Sequence, residues 1–396
     1  MQDVVITSAV RTAIGTFGGA LAGTPPCDLA AAVAQAAIDR ASITPSDVRQ
    51  SIFGNVIHTE PRDMYLARVA AIGAGVPDTA PALTLNRLCG SGLQAVVSAA
   101  EQIMLGKADI TLAGGAENMS RVGHMINAAR FGAKMGDVKA VDMMTGALTD
   151  PFGNGHMGVT AENVAKEKGV SRDAQDALAL ESHRRAAAAT QAGYFKEQIL
   201  PISVKQGRKE LDFETDEHFR ADVSLPDLTK LRAAFEKDGS VTPGNASGIN
   251  DGAAALVLAS ASAAVAKNMP VLARIVASGL GGVRPEVMGL GPVPAVTEAL
   301  SQAGLTISDM ACIESNEAFA AQACAVANEL KFPPEITNPN GGAIALGHPV
   351  GASGAIILTK LIYELRRIGG RYGLATMCIG GGQGIAVIVE NQDAAQ

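Results

Sequence analysis

The chain has 396 residues, 47% of them hydrophobic and 18% charged, with a formal net charge of −7 at neutral pH. That composition excludes a disordered chain and supplies enough apolar mass for two or three domains around large cores. The acidic balance excludes general nucleic-acid binding, which needs a basic face.

In chain order, residues 4–10 read as a buried strand and 28–40 as a helix, with Ala31, Val33, Ala36, Ala37 and Ile38 on its apolar face. Residues 52–56 are strand-like, 64–74 helical, 82–86 strand-like, 90–105 helical, and 110–114 another strand. Strands alternating with helices imply a largely parallel sheet with covered faces. The second half replays the order: strand 272–278, helix 293–303, a Ser308-Asp309 pair answering Ser46-Asp47, helix 319–330, helix 351–367, and strand 374–378. There the last strand passes through glycines directly into a final strand, 385–390. In the first half the matching final strand comes only at 254–259, so the polar stretch of roughly 117–250 reads as an insertion. Two similar halves make a cleft where corresponding loops meet.

The five cysteines are odd in number and form no CxxC pair, which argues against a disulfide framework or a zinc site and leaves free thiols. The opening Met1-Gln-Asp-Val-Val-Ile-Thr lacks the features of a signal peptide, no apolar run is long enough to span a bilayer, and the closing Asp393-Ala-Ala-Gln396 is no targeting address. The expectation is a cytoplasmic protein.

Three stretches carry chemistry. Asn338 to Gly354 is a glycine-rich loop with His348 in its middle and a long apolar helix behind it. A histidine there is placed for proton transfer near neutral pH, or for a backbone hydrogen bond only. Cys89 follows a strand pattern and opens a helix, whose first N–H groups would depress its pKa and make it a nucleophile; a buried inert cysteine is the alternative. Cys378 occupies the matching turn of the second half, and the glycines after it, beginning with Gly380, offer N–H groups to an oxyanion. This run leads into a strand, so it is not a dinucleotide fingerprint. Asn316 is placed to cap the helix after it, or to orient a water. In the insertion, His124 and His156 each precede a methionine, and Met125, Met135, Met143, Met144 and Met157 either fill a core or line an adaptable channel.

Long motifs in a fixed order identify a family resemblance across essentially the whole chain. They include Asn86-Arg-Leu-Cys-Gly-Ser-Gly-Leu-Gln-Ala95, Ala113-Gly-Gly-Ala-Glu-Asn-Met-Ser120 and Gly155-His-Met-Gly-Val-Thr-Ala-Glu-Asn163. Gly244-Asn-Ala-Ser-Gly-Ile-Asn-Asp-Gly-Ala-Ala254, Asn316-Glu-Ala-Phe-Ala320, the His348 loop and Cys378-Ile-Gly-Gly-Gly-Gln-Gly384 complete the set. The chain resembles the thiolases. The resemblance implies an α/β thiolase fold, with two similar mixed-sheet halves in a five-layer αβαβα arrangement. The halves would be residues 1–118 plus 251–268 and residues 269–396, with an inserted lobe, 119–250, that binds coenzyme A and supports assembly.

It also implies roles. Cys89 takes the acyl group, His348 accepts the Cys89 proton, and Cys378 moves the α-proton of the second thioester. His348 and a water on Asn316 hold the enolate, and the N–H groups of Cys89 and Gly380 hold the oxyanion. Coenzyme A would meet His156, Met157, Arg220, Ser247, Ala318 and Phe319. The implied reaction is reversible condensation of acetyl-coenzyme A with an acyl-coenzyme A, in fatty-acid metabolism or polyhydroxyalkanoate precursor synthesis. Acetyl-, acyl- and 3-ketoacyl-coenzyme A would be the partners, with no metal or permanently bound cofactor, and the assembly a homotetramer. Two departures from the family pattern, Arg232-Ala233 and Thr242-Pro-Gly-Asn245, fall before Ser247. A ketoacyl synthase shares this fold, but usually pairs its nucleophile with two histidines or with His and Asn. The Cys378 and Asn316 motifs argue against it. A silent binding protein would lack one of Cys89, His348 and Cys378, and all three are present.

Overall fold

The computed structural model describes residues 2–394. The readings of the two chain ends rest partly on Met1, Ala395 and Gln396, outside the described residues. The first half contains β1 (Val4–Thr12), α1 (Pro26–Arg40), β2 (Gln50–Gly54), α2 (Leu66–Gly73), β3 (Ala82–Leu85), α3 (Ser91–Met104) and β4 (Ile110–Asn118). Two long helices follow, α4 (Met157–Lys168) and α5 (Arg172–Ala192), and the first half closes with β5 (Asn250–Ser260). The second half is β6 (Ala273–Gly282), α6 (Pro292–Ala303), β7 (Met310–Ser315), α7 (Ala320–Leu330), α8 (Val350–Ile368), β8 (Tyr372–Ile379) and β9 (Gln383–Glu390).

The strands line up as β7-β8-β9-β6-β1-β5-β4-β2-β3. Within each half the pattern is the same. β1 and β5 are antiparallel, as are β5 and β4, while β4, β2 and β3 are parallel. β6, β9 and β8 repeat the antiparallel part, β8 and β7 are parallel, and a parallel bridge from Ile313 to Thr337 stands where β3 does. The two half-sheets meet edge to edge at β1 and β6 through Val5–Arg274 and Ile6–Ala273. The sheet is therefore mixed, not largely parallel as alternation alone suggests. The cause is that β5 and β9 enter each half from a neighbouring strand end rather than through a crossover helix. Asp251 pairs with Asn118, so the chain leaves after β4 and returns beside it.

Period-2 patterning sorts the side chains into layers. On β5, Ala254, Leu256 and Leu258 face one core and Ala255, Val257 and Ala259 another. On β9, Ile385, Val387 and Val389 share the first of these cores, while Ala386 and Ile388 face a third. The shared core contains α3 and α8, packed against each other between the half-sheets. The helices α1 and α2 cover the outer face of the first half-sheet, and α6 and α7 that of the second. On α1 the buried stripe is Leu29, Ala30, Val33, Ala34, Ala37 and Ile38; Ala31 and Ala36, expected on it, lie at its edge.

Two contacts set where the cleft forms. α3 and α8 cross with almost no side chain between them: a Cβ on Gly92 would lie 2.8 Å from the Ala355 nitrogen. The inserted stretch is tied to β1 by a fully buried ion pair. Arg11 donates to both carboxylate oxygens of Asp216, at 2.7 and 2.9 Å, and to Gln198 at 2.7 Å. No helix among the described residues is long and apolar enough to cross a membrane.

Candidate active site

Cys89 lies in the turn between β3 and α3. Leu88, just before it, has φ of 46°, a left-handed conformation that an aliphatic residue seldom adopts. Side chains hold the turn in place. Asn86 Oδ1 accepts the Leu88 N–H at 2.8 Å. Ser91 Oγ accepts the Arg87 N–H at 2.8 Å and donates to the Leu88 carbonyl at 2.6 Å. Burial pushes the Cys89 thiol up to about 11; the N–H groups of Gly380 and of Cys89 itself pull it down, and Glu117 adds to the rise. The expected depression by the first N–H groups of α3 is not what acts here: the lowering comes from Gly380 and from Cys89 itself, before the helix begins, and desolvation outweighs it.

His348 sits in the turn before α8, 5% exposed. Its backbone N–H donates to Asn250 Oδ1 at 2.9 Å. Its Nδ1 is 2.6 Å from Ser353 Oγ, and that hydroxyl also lies 2.9 Å from the Pro349 carbonyl. A hydroxyl has one hydrogen. Both contacts are satisfied when Ser353 donates to Pro349 and His348 Nδ1–H donates to Ser353, which leaves Nε2 with a free lone pair. Burial lowers the His348 pKa to about 4, so the ring is neutral. Asn316 Nδ2 lies 3.5 Å from Nε2. Asn316 is not a helix cap: α7 starts later, with Phe319 at its cap position.

Cys378 is not in the turn matching that of Cys89, which is the His348 turn before α8; it is on β8, 1% exposed, and its pKa is raised by burial and by the neighbouring Cys89. Cys89, Cys378, His348 and Gly380 line one cavity of about 410 Å³ at the carboxyl ends of the parallel strands. His156, Met157, Ser247, Ala318 and Phe319 line it too. His156 Nδ1 accepts the Gly158 N–H at 3.0 Å and caps α4, which fixes its proton on Nε2. The His156 ring stacks on Phe235 at 4.8 Å, and Phe319 meets Phe235 edge-on at 6.3 Å. Arg220 stands apart. It is exposed, absent from the lining, and its backbone N–H donates to His183 Nδ1 at 3.1 Å. Of the lobe's methionines, Met157 lines the cavity while Met125 and Met135 are exposed. His124 is exposed as well.

Phe235, Met288, Thr242 and Pro243 also line the cavity, so of the two departures before Ser247 the Thr242-Pro243 one forms part of its wall and Arg232-Ala233 does not. Phe235, Ser353 and Asn250 were not singled out by sequence reasoning. Ser353 and Asn250 sit inside quoted motifs, which was the available signal; Phe235, in a polar stretch without periodicity, gave none. Among the described residues no cluster of side chains fits a metal ion.

Comparison with known proteins accounts for this arrangement. Residues 4–262 match the family model for the thiolase N-terminal domain and residues 269–391 that for the thiolase C-terminal domain. The chain is 59% identical to beta-ketothiolase BktB of Cupriavidus necator over 98% of its own length and 99% of the relative's. It is 50% identical to an acetyl-CoA acetyltransferase of Chromobacterium violaceum, over 98% of this chain and all of that one. The structure of human mitochondrial 3-ketoacyl-CoA thiolase in complex with CoA superposes with a TM-score of 0.96 at 44% identity, covering 99% of this chain and 98% of that one. The chain belongs to the thiolase family and is an acyltransferase.

Proposed function

We propose that the protein is a β-ketothiolase that condenses acetyl-coenzyme A with an acyl-coenzyme A, reversibly, to 3-ketoacyl-coenzyme A and free coenzyme A. The observation that carries the reading is that two thiols, the neutral His348 and the Gly380 N–H converge on a single apolar cavity. His348 Nε2 takes the Cys89 proton, and the thiolate attacks the thioester carbonyl. The N–H groups of Cys89 and Gly380 hold the tetrahedral oxyanion. Collapse expels coenzyme A thiolate, which takes the Cys378 proton and leaves as the thiol.

The Cys378 thiolate so formed is a strong base because it is buried. It removes the α-proton of the second thioester. The enolate oxygen is held by the Nε2–H that His348 gained and by a water on Asn316. The enolate carbon attacks the Cys89 thioester, Cys89 leaves as thiolate, and His348 returns its proton. Reversed, the same steps are thiolysis.

The neutral His156 donates Nε2–H along the pantetheine arm with Ser247, Met157, Ala318 and Phe319, and Arg220 meets the outer nucleotide end. In this reading residues 119–250 are the coenzyme A-binding and assembly lobe between halves 1–118 plus 251–268 and 269–396. The enzyme works in the cytoplasm as a homotetramer without a bound cofactor. It serves fatty-acid metabolism and polyhydroxyalkanoate precursor synthesis.

The test is trapping. After incubation with acetyl-coenzyme A and acid quench, mass spectrometry should find acetyl on Cys89 in the parent and in Cys378→Ala, and none in Cys89→Ala. Ketoacyl formation should be lost in both variants. An unlabelled Cys89 in the parent, where coenzyme A binds, would leave a binding protein instead.

A further inference from the structure

Glu117 is a fully buried carboxyl that the chemistry above does not use. It stands near the end of β4, 0% exposed, and takes four N–H donors. Oε1 accepts from Asn55 Nδ2 and from the Ile57 backbone, each at 3.1 Å. Oε2 accepts from the backbones of Val56 and Gly351, each at 2.9 Å. Burial raises the Glu117 pKa, and the four N–H donors, which fill all the lone-pair sites of its two oxygens, oppose that rise and hold it as a carboxylate.

The donors lead to two different turns. Gly351 is in the first turn of α8, whose cap position is Pro349 and which has no side-chain cap of its own. Glu117 therefore caps α8 from the other half of the molecule, at Gly351, three residues after His348. In the opposite direction, Val56 is held by Glu117 and accepts from Asn86 Nδ2 at 3.2 Å through its carbonyl. Asn86 Oδ1 holds the N–H of Leu88, the left-handed residue before Cys89. One carboxylate thus anchors the turn of the base through one arm and the turn of the nucleophile through the other.

We propose that Glu117 is a positioning residue that fixes His348 and Cys89 relative to each other across the boundary between the halves. The inference rests on the acyl-enzyme reading given above. It adds an electrostatic consequence. The carboxylate adds to the burial that keeps Cys89 a thiol until His348 removes the proton. The other charged group beside Glu117 is Asp63; Cys378 also neighbours Cys89, and His348 is neutral.

Glu117→Gln keeps the shape and removes the charge and two acceptor sites. Its rate of acetyl-Cys89 formation should fall about 10- to 100-fold with KM for acetyl-coenzyme A changed less than about threefold. The pH midpoint for alkylation of Cys89 by iodoacetamide should move down in variant protein whose near-ultraviolet circular dichroism and denaturant midpoint match the parent, which separates the loss of charge from the fall that exposure of the thiol would itself cause. Asn86→Ala, at an exposed position, cuts only the nucleophile arm. It should slow acylation on its own, and combined with Glu117→Gln should give less than the product of the two losses. Parent-like acylation in Glu117→Gln, a loss confined to KM, or an unmoved alkylation midpoint overturns the proposal. If Glu117→Gln does not fold, Asn86→Ala decides: slowed acylation at unchanged KM supports the strut, and parent-like acylation overturns it. Absence of acetyl-Cys89 in the parent would instead count against the acyl-enzyme reading.

Discussion

At the residue scale, the proton inventory decides how this site works. His348 can accept from Cys89 only if its proton sits on Nδ1, and Ser353 is what holds it there. Ser353→Ala should therefore lower the rate of Cys89 acylation by about 10- to 100-fold while leaving KM for acetyl-coenzyme A nearly unchanged. Rapid-quench acylation kinetics measure this; a parent-like rate would mean that the tautomer is fixed otherwise. The reactive residues were legible in the sequence because the chemistry demands rare types in glycine-rich settings. Their supports were not. The value of Ser353 comes from having its own hydrogen occupied by Pro349, and the value of Glu117 from joining donors about 60 residues before it to the Gly351 N–H, 234 residues after it. The direction of the Cys89 shift was likewise hidden, because the desolvation that outweighs the N–H donors comes from the assembled cavity.

At the scale of elements, periodicity located the main helices and strands of the two halves, with errors at ends and contacts, but within the insertion it did not place the helix Met157–Lys168 or the strands Ile202–Gln206 and Lys209–Phe213. β4 runs on to Asn118 because it pairs with β5 along its whole length, a partner contributed by residues far downstream. The cap assigned to Asn316 failed because the chain turns toward His348 before α7 begins. The α3–α8 crossing had a sequence trace in Gly92 and Gly354, but nothing local said that the two glycines face each other's helix. Gly354 would place a Cβ against the Leu93 backbone, as Gly92 would against Ala355. Both neighbours are backbone and cannot rotate aside. Gly92→Val should therefore destabilise by about 1–3 kcal/mol through overpacking, read from the denaturant midpoint. Because α3 carries the Cys89 turn and α8 the His348 turn, the folded fraction of this variant should also acylate more slowly. Full acylation activity per folded molecule would show that the turns are set independently of the crossing.

At the scale of the whole molecule, burial on many sides places titratable groups where water cannot reach them, and stability becomes coupled to pH. His183 shows the effect away from the chemistry. It is 5% exposed on α5, accepts the Arg220 N–H, and has its pKa lowered from 6.5 to about 4 by burial, with His218 and Arg220 adding to the fall. A histidine depressed on folding binds its proton more readily in the unfolded chain. Between pH 6.5 and 4 the unfolded state therefore holds the extra proton, and the native state loses stability as pH falls through that window. Burial acts in the opposite sense on Glu314, raising it to about 6. The total profile is then a sum of opposing contributions, and only a difference isolates one of them. His183→Asn keeps an acceptor near the Arg220 N–H and removes the titration. Parent-minus-variant stability, from denaturant unfolding, should be constant above pH 6.5. It should decline by on the order of a few kcal/mol as pH falls toward 4. A difference that stays level across the window would mean that His183 is protonated alike in both states, through solvent access that its burial does not suggest.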